Sequence, residues 1–356
     1  MDIERNDDLS GAQGLRPQSE ELTPCCPGQS KSVGETTRKG TGWRIFWGII
    51  TALSIMANIA LVLMLIGIIT VFAVGRSGNM LAEEVIREGP ASAKIAVITV
   101  EGIIYGELAK DVYQQLEKAR QDRHVKGLII RVDSPGGLIS ASDQIYKEIL
   151  KYRQTEGKPV VAFMQDIATS GGYYTSVACD KIIAEPTALT GSIGVIMGHF
   201  VFQELLENKL GILPVIITAG KKKDWPSSFH VPTEEQLQYL RDKLITPAYE
   251  RFVQVVAEGR QSQLTIDDVK RLADGGIMGA QEALNEKLID EIGYLDDAIG
   301  LVKSLAGIKE ARVVEYRKPF SLASFLSYRT QNVLKIDKTM LYELSTPQVL
   351  YLWSAY

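Results

Sequence analysis

A long stretch without charged side chains, from Ile45 to Gly75, constrains this chain more than any other feature. It reads IFWGIITALSIMANIALVLMLIGIITVFAVG, and its few polar residues are scattered along it. About 20 apolar residues in a helix span a bilayer, so this stretch is long enough to cross with room to tilt. The sequence therefore predicts a transmembrane anchor over residues 43–75, in contact with the bilayer through residues 45–74.

A cleaved signal peptide is the alternative interpretation, because Ala73 to Gly75 are small residues of the kind found at cleavage sites. A signal-peptide core is usually about 7–15 residues long and lies closer to the N-terminus, so the length favours an uncleaved anchor. Arg38, Lys39 and Arg44 precede the stretch, whereas only Arg76 follows closely. The positive-inside rule then predicts a cytoplasmic N-terminus, with the rest of the chain beyond the membrane.

The composition limits the function classes. The chain has 356 residues, 46% hydrophobic and 23% charged, which is enough for one large or two modest domains. A net charge of −4 provides no basic surface for nucleic acid. The cysteines and histidines form no CxxC pair or Cys/His cluster, so we expect no metal site. Residues 1–42 are rich in Gly, Ser, Pro and charges, which predicts a disordered tail.

After the anchor, residues 76–93 are interpreted as a linker that contains a short helix at Met80–Glu88. From Lys94 onwards, apolar strands such as KIAVITVEGII alternate with segments of helical spacing such as ELAKDVYQQLEKAR. This alternation predicts parallel βαβ units with right-handed crossovers. The strands are apolar at nearly every position, which predicts a sheet covered on both faces.

The second half of the chain begins with one more expected strand, LPVIIT at Leu213–Thr218. From Thr233 onwards the apolar residues recur with helical spacing, which predicts a series of helices. We expect Pro247 to kink the first of them. Residues 318–356 are interpreted as an apolar C-terminal tail that ends in VLYLWSAY.

Two glycine-containing loops each follow an apolar strand. The first is DSPGG, which ends at Gly137, and the second is TSGG, in which Ser170 and Gly171 open the next helix. Sites in parallel α/β sheets form at the carboxyl ends of strands, and free N–H groups at a helix start can hold an anion. Each loop alone is compatible with an ordinary helix cap. Together they predict a site with Ser170 as candidate nucleophile and an oxyanion hole of backbone N–H groups.

No single residue stands out in the sequence as the base that would activate Ser170. Nothing in the sequence ties His124, His199 or His230 to this serine, and the residues before it depart from the GxSxG pattern. Lysine is the other candidate, because burial and neighbouring positive charges favour its neutral form. The segment TAGKKKDW places Lys221–Lys223 directly after LPVIIT. A solvated basic turn is the alternative interpretation of this run.

Three stretches, DSPGG, TSGGYYTSVACDKIIAEPTALTGSIGVIMG and GKKKD, resemble the signal peptide peptidase A family. This family consists of membrane-anchored bacterial serine peptidases related to the proteolytic subunit of Clp protease. The resemblance runs from about Lys94 to Ala306. It implies an α/β fold, a Clp protease/crotonase-like spiral of ββα units with a helical C-terminal region, preceded by one transmembrane helix. It also implies a single serine peptidase domain over residues 94–317, as in the short bacterial form.

The resemblance implies roles for individual residues. Ser170 matches the nucleophile, and Lys223, the third lysine of the run, matches the general base. Gly137 and Gly171 match the backbone oxyanion donors, and Ser192 matches a serine that supports the base. No metal or cofactor is implied. The sequence departs from the family directly after the lysine, where it reads WPSSFHVPTEE, and this affects the expected substrate rim rather than the dyad.

The resemblance also implies partners and a location. In the short members the serine and lysine that act together come from neighbouring protomers, which implies a homo-oligomeric ring. The implied substrates are apolar peptides, in particular signal peptides that remain in the membrane after cleavage. The implied location is the bacterial inner membrane, with the catalytic domain on the extracytoplasmic side.

Two other functions stay open at this point. A crotonase-type acyl-CoA enzyme would share the fold and a glycine oxyanion loop, and a non-catalytic membrane-anchored scaffold would keep the fold without activity. A further hypothesis concerns VLYLWSAY, which as an apolar peptide could occupy the enzyme's own substrate groove.

Overall fold

The computed structural model describes residues 41–76, 81–318 and 348–353. The predicted tail over residues 1–42 lies almost entirely outside these residues, as does most of the predicted tail over residues 318–356. The chain divides into two compact units, the first ending at Ile68 and the second beginning at Ile69.

The apolar stretch forms one long helix, α1 (Thr41–Arg76). Within it, Gly42–Ile69 has a mean hydropathy of 2.6 and is long and apolar enough to cross a membrane. Its large apolar side chains are exposed, for example Leu61 and Met64. Removing such a side chain from water is worth about 1.5–3 kcal/mol, so an apolar surface of this extent is suited to lipid. The helix predicted from the charge-free stretch is confirmed.

The strands of the second unit fall into two sheets. They are β1 (Ala82–Arg87), β2 (Lys94–Glu101), β3 (Val125–Ser134), β4 (Gly136–Leu138), β5 (Val160–Thr169), β6 (Lys181–Ala184), β7 (Leu189–Gly191), β8 (Ile196–Gly198), β9 (Ile277–Gly279), β10 (Glu291–Ile292), β11 (Arg312–Arg317) and β12 (Gln348–Leu352). The larger sheet has the order β1-β11-β2-β3-β5-β6-β10, with β7 beside β5 and β9 beside β7. From β11 to β10 every neighbouring pair is parallel. The predicted α/β class with a parallel sheet is confirmed.

The helices of the second unit connect these strands and then continue into a helical region. They are α2 (Gly106–Gln121), α3 (Ile139–Glu156), α4 (Gly171–Ser176), α5 (Glu234–Leu240), α6 (Thr246–Gly259), α7 (Ile266–Leu272), α8 (Ala280–Asn285) and α9 (Leu295–Leu305). Pro247 lies in the first turn of α6, and a π-helical segment, Arg241–Ile245, directly precedes this helix. The regular helical pattern is therefore interrupted next to the proline, which lacks an N–H for the ladder.

Helices cover both faces of the larger sheet. On one face Ile98 and Ile130 belong to a core cluster that includes side chains of α2, α3 and α6. On the other face Val97 and Ile129 pack with Val302 of α9. Successive strand residues point to opposite faces, so a sheet that is buried on both sides needs apolar residues at successive positions. The two-sided coverage predicted from the apolar strands is confirmed.

The smaller sheet has three strands, with β12 between β4 and β8. β12 runs antiparallel to both neighbours, with Tyr351 opposite Gly137 and Val349 opposite Met197. Ile104 adds a parallel bridge on the other side of Gly137. The C-terminal strand thus lies directly alongside the first glycine loop.

Two sequence-based predictions of local structure are wrong. The segment Met80–Glu88 is not a short helix, because Ala82–Arg87 forms β1 and pairs with β11. The sheet therefore begins before Lys94, where the peptidase domain was expected to start. The segment LPVIIT is not a strand, and its Leu213 and Ile217 are 77% and 92% exposed. A strand needs a hydrogen-bonded partner, and the described part of this chain provides none for this segment.

Candidate active site

Ser170 lies where β5 ends and α4 begins, in a backbone conformation that is unusual for a residue with a side chain. Its φ is 54° and its ψ is −115°. Residues held in such regions cost about 1–3 kcal/mol each and concentrate at active sites. The Ser170 N–H donates to the Gly191 carbonyl at 2.8 Å. The residue is buried, and within the described ranges its hydroxyl has no hydrogen-bond partner, which leaves it free for reaction.

The first glycine loop is in direct backbone contact with the second. Gly136 has a φ of 97°, a conformation that favours glycine. A Cβ on Gly136 would lie only 2.7 Å from the Gly171 nitrogen. The Ser134 hydroxyl accepts a hydrogen bond from the Gly136 N–H at 3.1 Å and so holds this turn. The structure therefore brings the two predicted loops together next to Ser170.

Hydrogen bonds on one edge of β4 determine the direction of the Gly137 N–H. The Ile104 N–H donates to the Gly136 carbonyl at 2.8 Å, and the Leu138 N–H donates to the Ile104 carbonyl at 2.8 Å. Gly137 lies between these two bonds, so its own N–H points to the opposite edge, where β12 runs. A Cβ on Gly137 would collide with the Ile104 backbone, which requires glycine at this position.

The carbonyl oxygen of Tyr351 lies where the two loops meet. Tyr351 is opposite Gly137 in the ladder between β12 and β4. Two residues further on, the Trp353 N–H donates to the Pro135 carbonyl at 2.9 Å. Because hydrogen-bonded pairs recur at every second residue of an antiparallel ladder, the Gly137 N–H faces the Tyr351 carbonyl. A Cβ on Gly171 would lie 3.1 Å from the same oxygen. Both predicted oxyanion donors therefore border one peptide carbonyl.

A polar cluster of Asp143, Tyr174 and Arg251 packs behind the site. The Tyr174 O–H donates to Asp143 Oδ1 at 2.7 Å, and Arg251 Nη2 lies 3.3 Å from the same oxygen. Burial disfavours the charged carboxylate, but these hydrogen bonds outweigh it and hold the pKa of Asp143 below its usual value. Burial raises the pKa of the Tyr174 phenol, so it remains a donor at neutral pH. No local sequence pattern indicates this cluster, because its members lie on three different helices.

Ser192 directly follows Gly191, whose carbonyl accepts the hydrogen bond from the Ser170 N–H. Its φ is 49°, and its N–H donates to the Gly276 carbonyl at 2.6 Å. The strand before it, β7, pairs with the end of β5, so the two serines follow neighbouring strands. Its support of the base remains a prediction.

The three lysines lie on an exposed loop, and their side chains have different surroundings. Lys222 Nζ lies 3.8 Å from the centre of the Tyr239 ring and 5.3 Å from that of Trp225. The Lys223 side chain is exposed, and no hydrogen bond between it and Ser170 exists among the described residues. The predicted dyad is not assembled within the described part of a single chain.

Other candidate groups do not take part in this site. His230 Nε2 lies 3.2 Å from Asp224 Oδ2 rather than beside Ser170. Cys179 is buried, and burial raises the pKa of its thiol well above the usual value, which leaves it unreactive. In the ranges that the structure covers, no group of three or more His, Cys, Asp and Glu residues is placed to hold a metal ion.

Comparison with known proteins identifies the family. The profile of peptidase family S49 matches residues 152–309, a range that includes Ser170, Ser192 and Lys223. A protein of Enterococcus faecium named "Putative signal peptide peptidase SppA" is 38% identical over 250 residues, which cover 67% of this chain and 71% of that protein. The chain belongs to peptidase family S49.

Two longer relatives match a similar share of this S49 chain. "Serine protease SPPA, chloroplastic" of Arabidopsis thaliana is 34% identical over 65% of this chain and 34% of its own length. "Protease 4" of Haemophilus influenzae is 34% identical over 62% of this chain and 36% of its own length. The S49 chain spans about a third of each of these relatives. A ClpP1 mutant of Listeria monocytogenes is 19% identical, with a TM-score of 0.39, and covers 57% of this chain and 94% of its own.

Membership of family S49 makes this chain a serine peptidase, which confirms the predicted family and enzyme class. These relatives do not favour a crotonase-type acyl-CoA enzyme or a non-catalytic scaffold. The individual roles of Ser170, Lys223, Gly137, Gly171 and Ser192 remain predictions, because family membership alone does not assign them.

Proposed function

We propose that this chain is a membrane-anchored serine endopeptidase with a Ser-Lys dyad, which degrades cleaved signal peptides and other apolar peptides. One observation carries the proposal. The peptide carbonyl of Tyr351 lies against Gly137 and Gly171, next to the strained Ser170. The carbonyl of a scissile peptide bond takes this position in acyl-transfer enzymes, where backbone N–H groups stabilise the oxyanion.

The proposed reaction begins when the neutral amine of Lys223 takes the Ser170 proton and the serine oxygen attacks the carbonyl carbon. The N–H groups of Gly137 and Gly171 stabilise the oxyanion, and the loss of one such donor typically costs about 10²–10³ in rate. Protonated Lys223 then gives its proton to the leaving amine, and water releases the acyl group from the serine. Ser192 holds the lysine amine by a hydrogen bond.

β12 supports an extended mode of substrate binding. It lies between β4 and β8, so its backbone pairs on both sides. Many peptide-binding proteins recognise an extended segment by adding it as a strand to a sheet edge. A substrate peptide bound in this way would replace β12. The hypothesis that VLYLWSAY occupies the enzyme's own groove agrees with this position of residues 348–352.

The contacts of the three lysines support Lys223 as the base. Lys222 Nζ is held over the rings of Tyr239 and Trp225, and these cation–π contacts keep its side chain beside its own aromatic partners. Lys223 has no such contact among the described residues and precedes Asp224, as in the family pattern of glycine, two variable residues, lysine and acid. Lys221 takes one of the variable positions.

The exposed segment before these lysines supports a homo-oligomeric ring. Leu213, Val215 and Ile217 are 77%, 75% and 92% exposed, although their sequence is typical of a buried strand. A second copy of the chain would cover these side chains. Because the lysine loop directly follows this segment, the same contact would carry Lys223 toward the Ser170 of the neighbouring protomer.

The location and substrate class rest on α1 and on the relatives. α1 is long and apolar enough to hold the peptidase at a bilayer, where cleaved signal peptides remain. The relative in Enterococcus faecium carries the name of a signal peptide peptidase. The positive charges before α1 favour a cytoplasmic N-terminus, with the catalytic domain on the extracytoplasmic side of the inner membrane.

The dyad is tested with the full chain in detergent micelles and a fluorogenic apolar peptide. We expect Ser170→Ala and Lys223→Ala each to lower kcat by about 10³-fold or more, as for other nucleophile–base pairs. Lys221→Ala is the matched control, since this lysine belongs to the same exposed run, and it keeps its activity. An active Lys223→Ala variant would refute the choice of base.

The shared site is tested by mixing the two inactive variants under conditions that allow subunit exchange. At equal amounts, about a quarter of the sites receive an intact serine from one protomer and an intact lysine from its neighbour. We therefore expect about a quarter of the wild-type activity to return. A mixture that exchanges subunits and remains inactive would show that the two residues act within one chain.

A further inference from the structure

The Ser134 hydroxyl bridges two backbone segments behind the first glycine loop. It donates to the Gly102 carbonyl at 2.6 Å and accepts from the Gly136 N–H at 3.1 Å. These directions are fixed, because a carbonyl can only accept and an N–H can only donate. Ser134 is fully buried, and so is its bond to Gly136. The hydroxyl therefore ties the turn at Gly136 to the segment that begins at Gly102.

Backbone hydrogen bonds join the same two segments on either side of this hydroxyl. The Gly102 N–H donates to the Asp133 carbonyl at 2.8 Å, and the Ile104 N–H donates to the Gly136 carbonyl at 2.8 Å. Residues 102–104 therefore lie along the edge of the loop that faces away from β12. Both backbone groups of Gly136 are held from this side, its carbonyl by Ile104 and its N–H by Ser134.

We propose that Ser134 is a positioning residue for the oxyanion hole and fixes the direction of the Gly137 N–H. The inference rests on the proposed function, because it takes this N–H as an oxyanion donor. The peptide bond between Gly136 and Gly137 is planar and trans, so the N–H points away from the Gly136 carbonyl. Its direction thus depends on the φ and ψ of Gly136, which glycine itself restricts little. Ser134 fixes the peptide plane before Gly136, and the bond from Ile104 fixes the plane after it.

Ser134 also lies against the second glycine loop. A Cβ on Gly172 would lie only 2.7 Å from the Ser134 carbonyl and 3.5 Å from its Cβ. The residue therefore contacts the backbone next to each proposed donor, at Gly136 before Gly137 and at Gly172 after Gly171. A change in the position of Ser134 would alter the spacing between the two donors.

Loss of the hydroxyl should affect the transition state more than the bound substrate. Ser134→Ala leaves the Gly136 N–H buried without this acceptor, which is unfavourable and favours rotation of the loop. A displacement of about 1 Å in a catalytic group can cost about 10²-fold in rate. The oxyanion forms only after the substrate is bound. We therefore expect kcat to fall by about 10–10²-fold while KM stays within about twofold.

The test separates binding in the groove from stabilisation of the oxyanion. The probes are two fluorescein-labelled peptides with the sequence of residues 348–351, QVLY, one ending in an aldehyde and the other in the corresponding alcohol. On the aldehyde the Ser170 oxygen adds to the carbonyl carbon, the serine proton passes to the base, and the carbonyl oxygen becomes the oxyanion. The alcohol has no carbonyl and makes only the groove contacts. Fluorescence anisotropy of the full chain in detergent micelles gives both Kd values, and β12 competes equally with both probes.

Wild type should bind the aldehyde at least about 10²-fold more tightly than the alcohol, because the adduct resembles the transition state. Ser134→Ala should reduce this preference by about 10–10²-fold and leave the Kd of the alcohol within about twofold. Ser134→Cys keeps a similar shape, but its thiol is a weak donor and acceptor, so it should behave like Ser134→Ala. Ser176→Ala is the matched control and should keep the preference. Ser176 is also a buried serine, but it donates to the Gly172 carbonyl, which accepts from Thr175 as well.

Three results would overturn the inference. The first is a Ser134→Ala variant that keeps the wild-type preference for the aldehyde, and the second is a Ser134→Cys variant that does so. The third is a Ser134→Ala variant in which both probes bind equally more weakly, since the residue would then only maintain the groove. A wild-type chain that does not prefer the aldehyde would refute the proposed function itself, and the role of Ser134 with it. In the first three cases the wild-type preference is present, so the proposed function stands.

Discussion

Replacement of Ser170 by glycine is expected to stabilise the protein while it abolishes activity. The φ of 54° and ψ of −115° are accessible to glycine but strained for other residues, at a cost of about 1–3 kcal/mol. Glycine also makes the unfolded chain more flexible, which offsets about 0.5–1 kcal/mol of this gain. Ser170→Ala lacks the same hydroxyl but keeps the strain. We therefore expect Ser170→Gly to be about 1 kcal/mol more stable than Ser170→Ala.

Thermal unfolding of the full chain in detergent micelles, followed by circular dichroism, measures this difference. For a domain of this size about 1 kcal/mol corresponds to a shift in Tm of about 2–4 °C. Ser140, exposed in α3, is the control, because glycine in a helix costs about 1 kcal/mol and Ser140→Gly should melt below Ser140→Ala. If Ser170→Gly melts at or below Ser170→Ala, the strain argument is refuted.

Three further predictions concern packing and charge. Asp290→Ala leaves the guanidinium of Arg260 buried without the carboxylate that lies 2.8 Å away, so the free energy of unfolding should fall by about 3–5 kcal/mol in urea titrations. Arg271→Ala, which breaks an exposed pair with Glu286, should cost less than about 1 kcal/mol. Burial opposes ionisation of Asp290, but its bonds to Arg260 and Lys181 lower its pKa. The ionised Asp290 carboxylate therefore contributes its full free energy of stabilisation above the usual carboxyl pKa, and this contribution is lost as pH falls through the lowered pKa. Between pH 7 and pH 3 the free energy of unfolding of the wild type should therefore fall by more than that of Asp290→Ala. Gly136→Ala should abolish hydrolysis of a fluorogenic apolar peptide, because the φ of Gly136 is 97° and the new Cβ would collide with the Tyr351 carbonyl of β12. Gly157→Ala is the control, since Gly157 also has a positive φ but a Cβ there would lie in open space, and this variant should retain activity.

The elements that could be predicted from sequence carry their own local signals. The segment that contains β3 and α3 is an example, since an apolar run, a Pro-Gly-Gly turn and helical spacing follow one another without interruption. The position of Ser170 between a strand and a helix was predictable for the same reason, because this residue stands between an apolar run and two glycines. In both cases the residues that decide the structure are close neighbours in the chain.

The elements that were missed depend on distant partners. β1 contains two glutamates and an arginine, and it becomes a strand only because β11 lies beside it. The reverse holds for Leu213–Thr218, which has the composition of a strand and no β-partner among the described residues. The contact of Gly136 with Gly171 likewise follows from the pairing of β3 with β5, which brings the ends of these strands together. No local pattern could have indicated that Tyr351 lies opposite Gly137.

If substrates bind in place of β12, as proposed above, the position of β12 determines how this peptidase responds to its surroundings. A competitor on the same chain has an effective concentration set by the connecting segment, and this concentration does not change with the number of enzyme molecules. Dilution of the protein in the membrane therefore does not empty the groove. Peptides gain access only as their own local concentration approaches that of the tethered strand. Under this proposal the enzyme would be quiescent in a membrane that holds few peptides, and its rate of hydrolysis would follow the concentration of peptides rather than the abundance of the protease.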